Sequence, residues 1–161
     1  MTLVSTVTVG SGGAASIEFT NIPQTGKDLL VLYSARGTGT GTYVEWNINN
    51  QGIGTNLTGR LLTRYGANLI YTEARYGEYA NAPSNSTSDT FGSASIYMTN
   101  YTSSSNKSMS SDWTWENNAT NNDMGITASQ WAQTTAITSF TIRANSGVFA
   151  QNTTASLYII S

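Results

Sequence analysis

Apolar and polar residues alternate one for one in segment after segment of this chain, and that period predicts β-structure. Successive side chains of a strand point to opposite faces, so a two-residue period gathers the apolar groups on one side. Ile17 and Phe19 alternate with Ser16, Glu18 and Thr20, and Val44, Trp46 and Ile48 with Glu45, Asn47 and Asn49. Ala94, Ile96 and Met98 alternate with Ser93, Ser95, Tyr97 and Thr99. Met109, Trp113 and Trp115 alternate with Ser108, Asp112, Thr114 and Glu116, and Phe140 and Ile142 with Thr141 and Arg143. Each pattern predicts a half-buried strand. Leu29–Ala35 is apolar at nearly every position, which predicts a strand covered on both faces, and Leu157–Ile160 is similar. Further strands are expected over Leu3–Val9, Asn68–Tyr76 and Met124–Gln133, while Leu57–Tyr65 reads as either a strand or a short helical turn. Gly, Asn and Ser clusters separate these segments. The expected fold is all-β: one domain over residues 1–161, a jelly-roll-like two-sheet antiparallel β-sandwich of about 8–10 strands, favoured over a closed barrel.

Composition narrows the chemistry. The 161 residues include 25 Thr, 20 Ser and 16 Asn but no His and no Cys. Histidine is the usual proton carrier near neutral pH, and Cys and His dominate zinc and copper sites. Without them, catalysis would fall to carboxylates, hydroxyls, Lys and Arg. Charged residues make up 10% of the chain, against about 25% in an ordinary globular domain. The net charge is −2, and Lys27, Arg36, Arg60, Arg64, Arg75, Lys107 and Arg143 are scattered along the chain. Binding to nucleic acid or to an anionic membrane needs clustered cations, so neither partner is expected. The longest strictly apolar run, Leu29–Tyr33, is far short of the roughly 20 residues of a spanning helix. Met1 is followed by no basic segment and no apolar one, so no secretory signal is expected.

Several constellations could carry chemistry, and each also has a plain structural role. Glu45, Glu73, Glu78, Asp112, Glu116 and Asp123 offer carboxylates for glycoside hydrolysis, but no spacing selects a pair. Trp46, Trp113, Trp115 and Trp131 could stack on sugar rings; the parity of the first three instead places them in the core. No Ser sits in a G-x-S-x-G turn. The oxygen-rich segment Asn117–Asp123 could hold calcium but lacks a second acid in register and reads as a polar loop. GTGTGT over Gly37–Thr42 and NAPSNSTSD over Asn81–Asp89 read as exposed loops, or as loops that order against a partner. No catalytic residue, cofactor or metal is expected.

Two stretches carry a family likeness. Ile22-Pro23-Gln24-Thr25 is followed by Asp28-Leu29-Leu30-Val31 and Ser34-Ala35-Arg36 near the start. Near the end, Trp131 precedes Ala136-Ile137-Thr138-Ser139-Phe140, Ser146-Gly147-Val148-Phe149-Ala150 and Thr153-Thr154-Ala155-Ser156-Leu157-Tyr158. Together these resemble the β-sandwich virion proteins of tailed bacteriophages, a group that includes capsid cement (decoration) proteins and tail-fibre modules. Trp46-Asn47-Ile48-Asn49 and Asn100-Tyr101 with Lys107 fit the likeness loosely; Ile159 after Tyr158, where Gly is usual, departs from it.

The resemblance implies a structural protein with no enzymatic activity. The expected function is that of a cement protein, made in the host cytoplasm, that binds the outer surface of the assembled head through the major capsid protein. It implies a homotrimer. The alternative is a tail-fibre or receptor-binding module that recognises a bacterial surface glycan. Cement contacts are expected in loops and at one edge of the sandwich, with Arg36, Thr38, Thr40, Thr42, Tyr76 and Tyr79 as candidates beside the Thr2–Val9 segment. Arg36 is open to three roles: pairing with Asp28, binding a carbonyl, or meeting a neighbouring subunit.

Overall fold

The computed structural model describes the backbone of residues 1–65, 68–72, 76–117 and 121–161, and their side chains outside 65–72. Among these residues there is no helix. The strands are β1 (Thr2–Thr8), β2 (Ser16–Phe19), β3 (Asp28–Arg36), β4 (Val44–Ile48), β5 (Leu57–Tyr65), β6 (Asn68–Thr72), β7 (Gly77–Glu78), β8 (Asn81–Ala82), β9 (Gly92–Met98), β10 (Lys107–Glu116), β11 (Asn122–Trp131), β12 (Phe140–Ala144) and β13 (Thr154–Ile160). The larger sheet runs β1-β13-β3-β9-β10-β11-β5-β6, with the two-residue β8 beside β3. The smaller sheet runs β2-β12-β4-β7. Every pairing is antiparallel except that of β3 with β8. The expected two-sheet antiparallel sandwich is therefore present. The strand order does not establish jelly-roll connectivity, and the two very short strands β7 and β8 had no sequence signal. Leu57–Tyr65 is a strand.

The inner faces of the two sheets share one hydrophobic cluster. The smaller sheet contributes Ile17, Phe19, Val44, Trp46, Ile48, Phe140 and Ile142, and the larger Leu29, Val31, Ile96, Met98, Trp113, Trp131 and Leu157. This matches the inward parity of β2, β4, β9, β10 and β12. The expected two-sided burial of Leu29–Ala35 is corrected. Leu29, Val31, Tyr33 and Ala35 are buried, but Leu30 and Ser34 are only half-buried and Leu32 is 38% exposed. β13 behaves alike, with Ala155, Leu157 and Ile159 buried between half-buried neighbours. Both strands are internal to the larger sheet, so neighbours cover their edges, while the smaller sheet covers only one face.

β11 inverts the usual pattern. Trp131 is fully buried and pairs across the ladder with buried Lys107. Parity then turns Asp123, Thr127 and Ser129 inward and Met124, Ile126 and Ala128 outward. Gly125 fits the same register because the Trp113 ring packs over it. A Cβ there would lie 2.4 Å from the Leu62 carbonyl oxygen and 2.5 Å from that ring. The polar groups buried on β5, β10 and β11 thus lie beneath an outer face that carries apolar side chains.

Asparagine supplies the turns. The described non-glycine residues with positive φ are Asn21, Asn49, Asn50, Asn56, Asp89, Asn100 and Asn152, the residue types that tolerate the left-handed region. Asn49 also ties β4 to the chain before β12. Its Nδ2 donates to Ala136 O at 2.8 Å, and its Oδ1 accepts from Thr138 N at 2.8 Å and Ser139 N at 3.1 Å. Asp28 receives the Tyr97 hydroxyl at 2.5 Å and Asn100 N at 2.7 Å.

Lys107 faces the core without a carboxylate partner. Its Nζ lies 2.6, 2.8, 3.3 and 2.7 Å from the carbonyl oxygens of Ser103, Ser105, Gln133 and Thr135. It also stands 5.8 Å from the Trp131 ring centre. One ammonium therefore joins the turn before β10 to the segment after β11, and burial lowers its pKa. Lys107→Met keeps the stem and leaves these carbonyls without their donor. Equilibrium urea unfolding should show a loss of about 2 kcal/mol or more. A loss below about 0.5 kcal/mol, the range of ordinary surface changes, contradicts the bridging role.

Candidate functional site

The candidate contact residues lie at one end of β3 and around the short strands. Arg36 ends β3 and turns its guanidinium onto the chain's own backbone. Nη1 donates to Thr87 O at 2.9 Å and Thr90 O at 3.0 Å; Nη2 donates to Ser84 O at 3.2 Å and Ser86 O at 3.0 Å. Of its three roles, carbonyl binding is the one observed within the chain, and Asp28 is engaged elsewhere. Four donors from a rigid fork order the Ser84–Thr90 loop, which has no sheet partner of its own.

The Gly37–Thr42 loop is ordered by close backbone approach. Gly37 N donates to Ala82 O, Thr38 N to Val148 O, and Ser84 N to Gly39 O. A Cβ on Gly39 would lie 2.7 Å from the Ser146 carbonyl oxygen. The glycines therefore face neighbouring chain while Thr38 and Thr40 are exposed and Thr42 is half-buried. Thr38 Oγ1 also accepts from Val148 N at 3.0 Å. Tyr76 is exposed and its ring lies over Gly54. Tyr79 is half-buried and meets Tyr43 edge-on at 5.0 Å. β1, the other candidate segment, forms one edge of the larger sheet.

Among the described residues the candidate carboxylates do not gather into one acid cluster. Glu45 pairs with Arg143 at 2.5 Å on the outer side of the smaller sheet. Asp112 is exposed and accepts from Ser95, and Glu116 is exposed at the end of β10. Glu73 and Arg75 lie outside the described residues, as does 118–120 of the calcium candidate. Among the described residues no group of three or more metal-ligating acids gathers. Trp46, Trp113, Trp115 and Trp131 are all buried, as parity predicts for the first three.

Two buried acids had no warning in the sequence. Glu78 is fully buried and accepts the Tyr33 hydroxyl, with the Ser111 hydroxyl against the same carboxyl. Burial pushes Glu78 up to about 8, opposed by the Ser111 and Tyr33 hydroxyls beside it and reinforced by Asp112. Burial and the neighbouring Glu78 carry the Tyr33 phenol well above its ordinary value. Asp123 is buried against the Thr63 hydroxyl, and burial raises it to about 6. Thr127 and Ser129 add buried hydroxyls to the same layer. Only the folded chain places these acids in a low dielectric, so their signal is long-range: Tyr33 and Glu78 are 45 residues apart.

Both folded values stand above the unfolded ones, so the native state holds the extra protons between roughly pH 4 and pH 8. The stabilisation is complete below that window and is lost as pH rises through it. The melting temperature should fall from about pH 4 to about pH 8, and Glu78→Gln, which stays neutral, should flatten most of that fall. An unchanged slope in the variant contradicts the buried-acid assignment.

Sequence reasoning also missed an apolar patch on the outer face of the larger sheet. Met124 and Ile126 are 54% and 56% exposed, and Leu62 lies beside Ile126 in the ladder. They border a shallow groove of about 600 Å³ whose rim includes Arg64 and Asp112. The apolar spacing of Met124 and Ile126 was visible; the parity that turns them outward was not. No family model, no curated protein and no solved structure matches the chain.

Proposed function

We propose that the chain is a structural virion protein of a tailed bacteriophage, a cement protein that binds the outer surface of the assembled head and stabilises it. In this reading it works as a homotrimer on the major capsid protein, is made in the host cytoplasm and carries out no chemistry. The likeness of the Ile22–Arg36 and Trp131–Tyr158 stretches to such proteins motivates the proposal. Those residues act as scaffold in this chain: Ile22, Val31, Ile137, Phe140, Phe149 and Leu157 are buried in the shared core.

The burial of all four Trp side chains is the observation that carries the reading. Three of these rings, Trp46, Trp113 and Trp131, lie in the core the two sheets share, and none of the four is presented as a stacking platform, which weighs toward a mechanical role over a glycan-binding one. The Arg36 guanidinium and the Lys107 ammonium are likewise spent on the chain's own carbonyls. Exposed Thr38, Thr40 and Tyr76 remain as contact candidates. The test is to mix the purified protein with undecorated heads of the phage that encodes it. Saturable binding and a higher head melting temperature are expected. Neither binding nor stabilisation would contradict the reading, and selective binding on a glycan array would favour a tail-fibre module.

A further inference from the structure

We propose that the outer face of the larger sheet pairs two copies of this chain through the apolar patch on β11 and β5. The register places Asp112, Ile126 and Leu62 in one row across β10, β11 and β5, and Thr114, Met124 and Arg64 in the next. Asp112 and Arg64 stand at opposite corners of this block, with the apolar side chains between them. A second copy laid face to face about a twofold axis crossing that diagonal brings each Asp112 against the partner's Arg64. It also stacks Ile126 and Leu62 on their counterparts. The patch is thus complementary to itself in both charge and apolarity, which is what an isologous interface requires.

The facing of strand β11 points to the same surface. It buries Asp123, Thr127 and Ser129 and exposes Met124 and Ile126, the reverse of a strand that ends at solvent. Departures of this kind from local pattern concentrate where a surface has work to do, and contiguous exposed apolar groups mark interfaces. Arg64 is exposed and has no ion-pair partner among the described residues, and Asp112 bonds only to the Ser95 hydroxyl there. Among the described residues neither charge is in an ion pair. Pairing needs only the chain itself and does not rest on the capsid reading.

Sedimentation velocity on the purified chain, up to about 100 μM, tests the proposal. Paired species are expected: dimers, or pairs of trimers where trimers form through another surface. Ile126→Asp should abolish pairing with an unchanged far-ultraviolet circular dichroism spectrum. Arg64→Glu and Asp112→Arg should each weaken it about tenfold, and the double variant should recover most of the loss. A wild-type chain without paired species overturns the proposal, as does a double variant no better than the singles. Head binding without pairing defeats this proposal and leaves the cement reading standing; pairing without head binding does the opposite.

Discussion

Strand parity across the β9–β10–β11–β5 ladder governs both faces of the larger sheet. Trp113 and Trp131 are too large and too apolar to leave outside, and their burial against the smaller sheet decides which way every other residue of β10 and β11 points. A slip by one residue would bring both rings into solvent and the Lys107 ammonium with them. The price of this register is a polar inner layer under β11 and an apolar outer one. Gly125 belongs to the same arrangement, since the Trp113 ring occupies the space a side chain would need.

Hydroxyl and amide groups replace charge elsewhere. Ordinary domains keep Lys and Arg in water. Arg36 and Lys107 instead donate to eight backbone carbonyls between them, four each, in segments that no strand pairs. Buried carbonyls without donors are costly, and a cation satisfies several at once. Asparagines in the left-handed region complete the turns. A chain with few charges can therefore hold long connections close to the sandwich without disulfides.

Much of the fold was legible in the sequence. Alternation in β2, β4, β9, β10 and β12 identified their core residues because those strands have one wet face and one dry one. It did not reach β3, where Leu30 and Leu32 are apolar yet face away from the core, or β11, which was expected as a strand with no facing assigned and which turns Met124 and Ile126 outward. Direction is set by neighbouring strands, not by the segment alone. The candidate site was less legible. The exposure of Thr38 and Thr40 follows from glycine spacing, but Arg36 reaches carbonyls 48 to 54 residues away. Glu78 meets Tyr33 across a similar separation. No local pattern announces such contacts.

The same parity connects structure to the proposed roles. It hides the Trp rings, which favours mechanical duty over sugar recognition, and it presents Met124 and Ile126 to a second copy. Because the chain has no cysteine, single cysteines can report that parity directly. Thiol-labelling rates should be measured in dilute native protein with cysteine at positions 124, 126 and 128, and separately at 127 and 129. Fast labelling at the even positions, with protection of about a hundredfold or more at the odd ones, is the expected result. The opposite pattern, or equal rates throughout, would contradict the register on which the account rests.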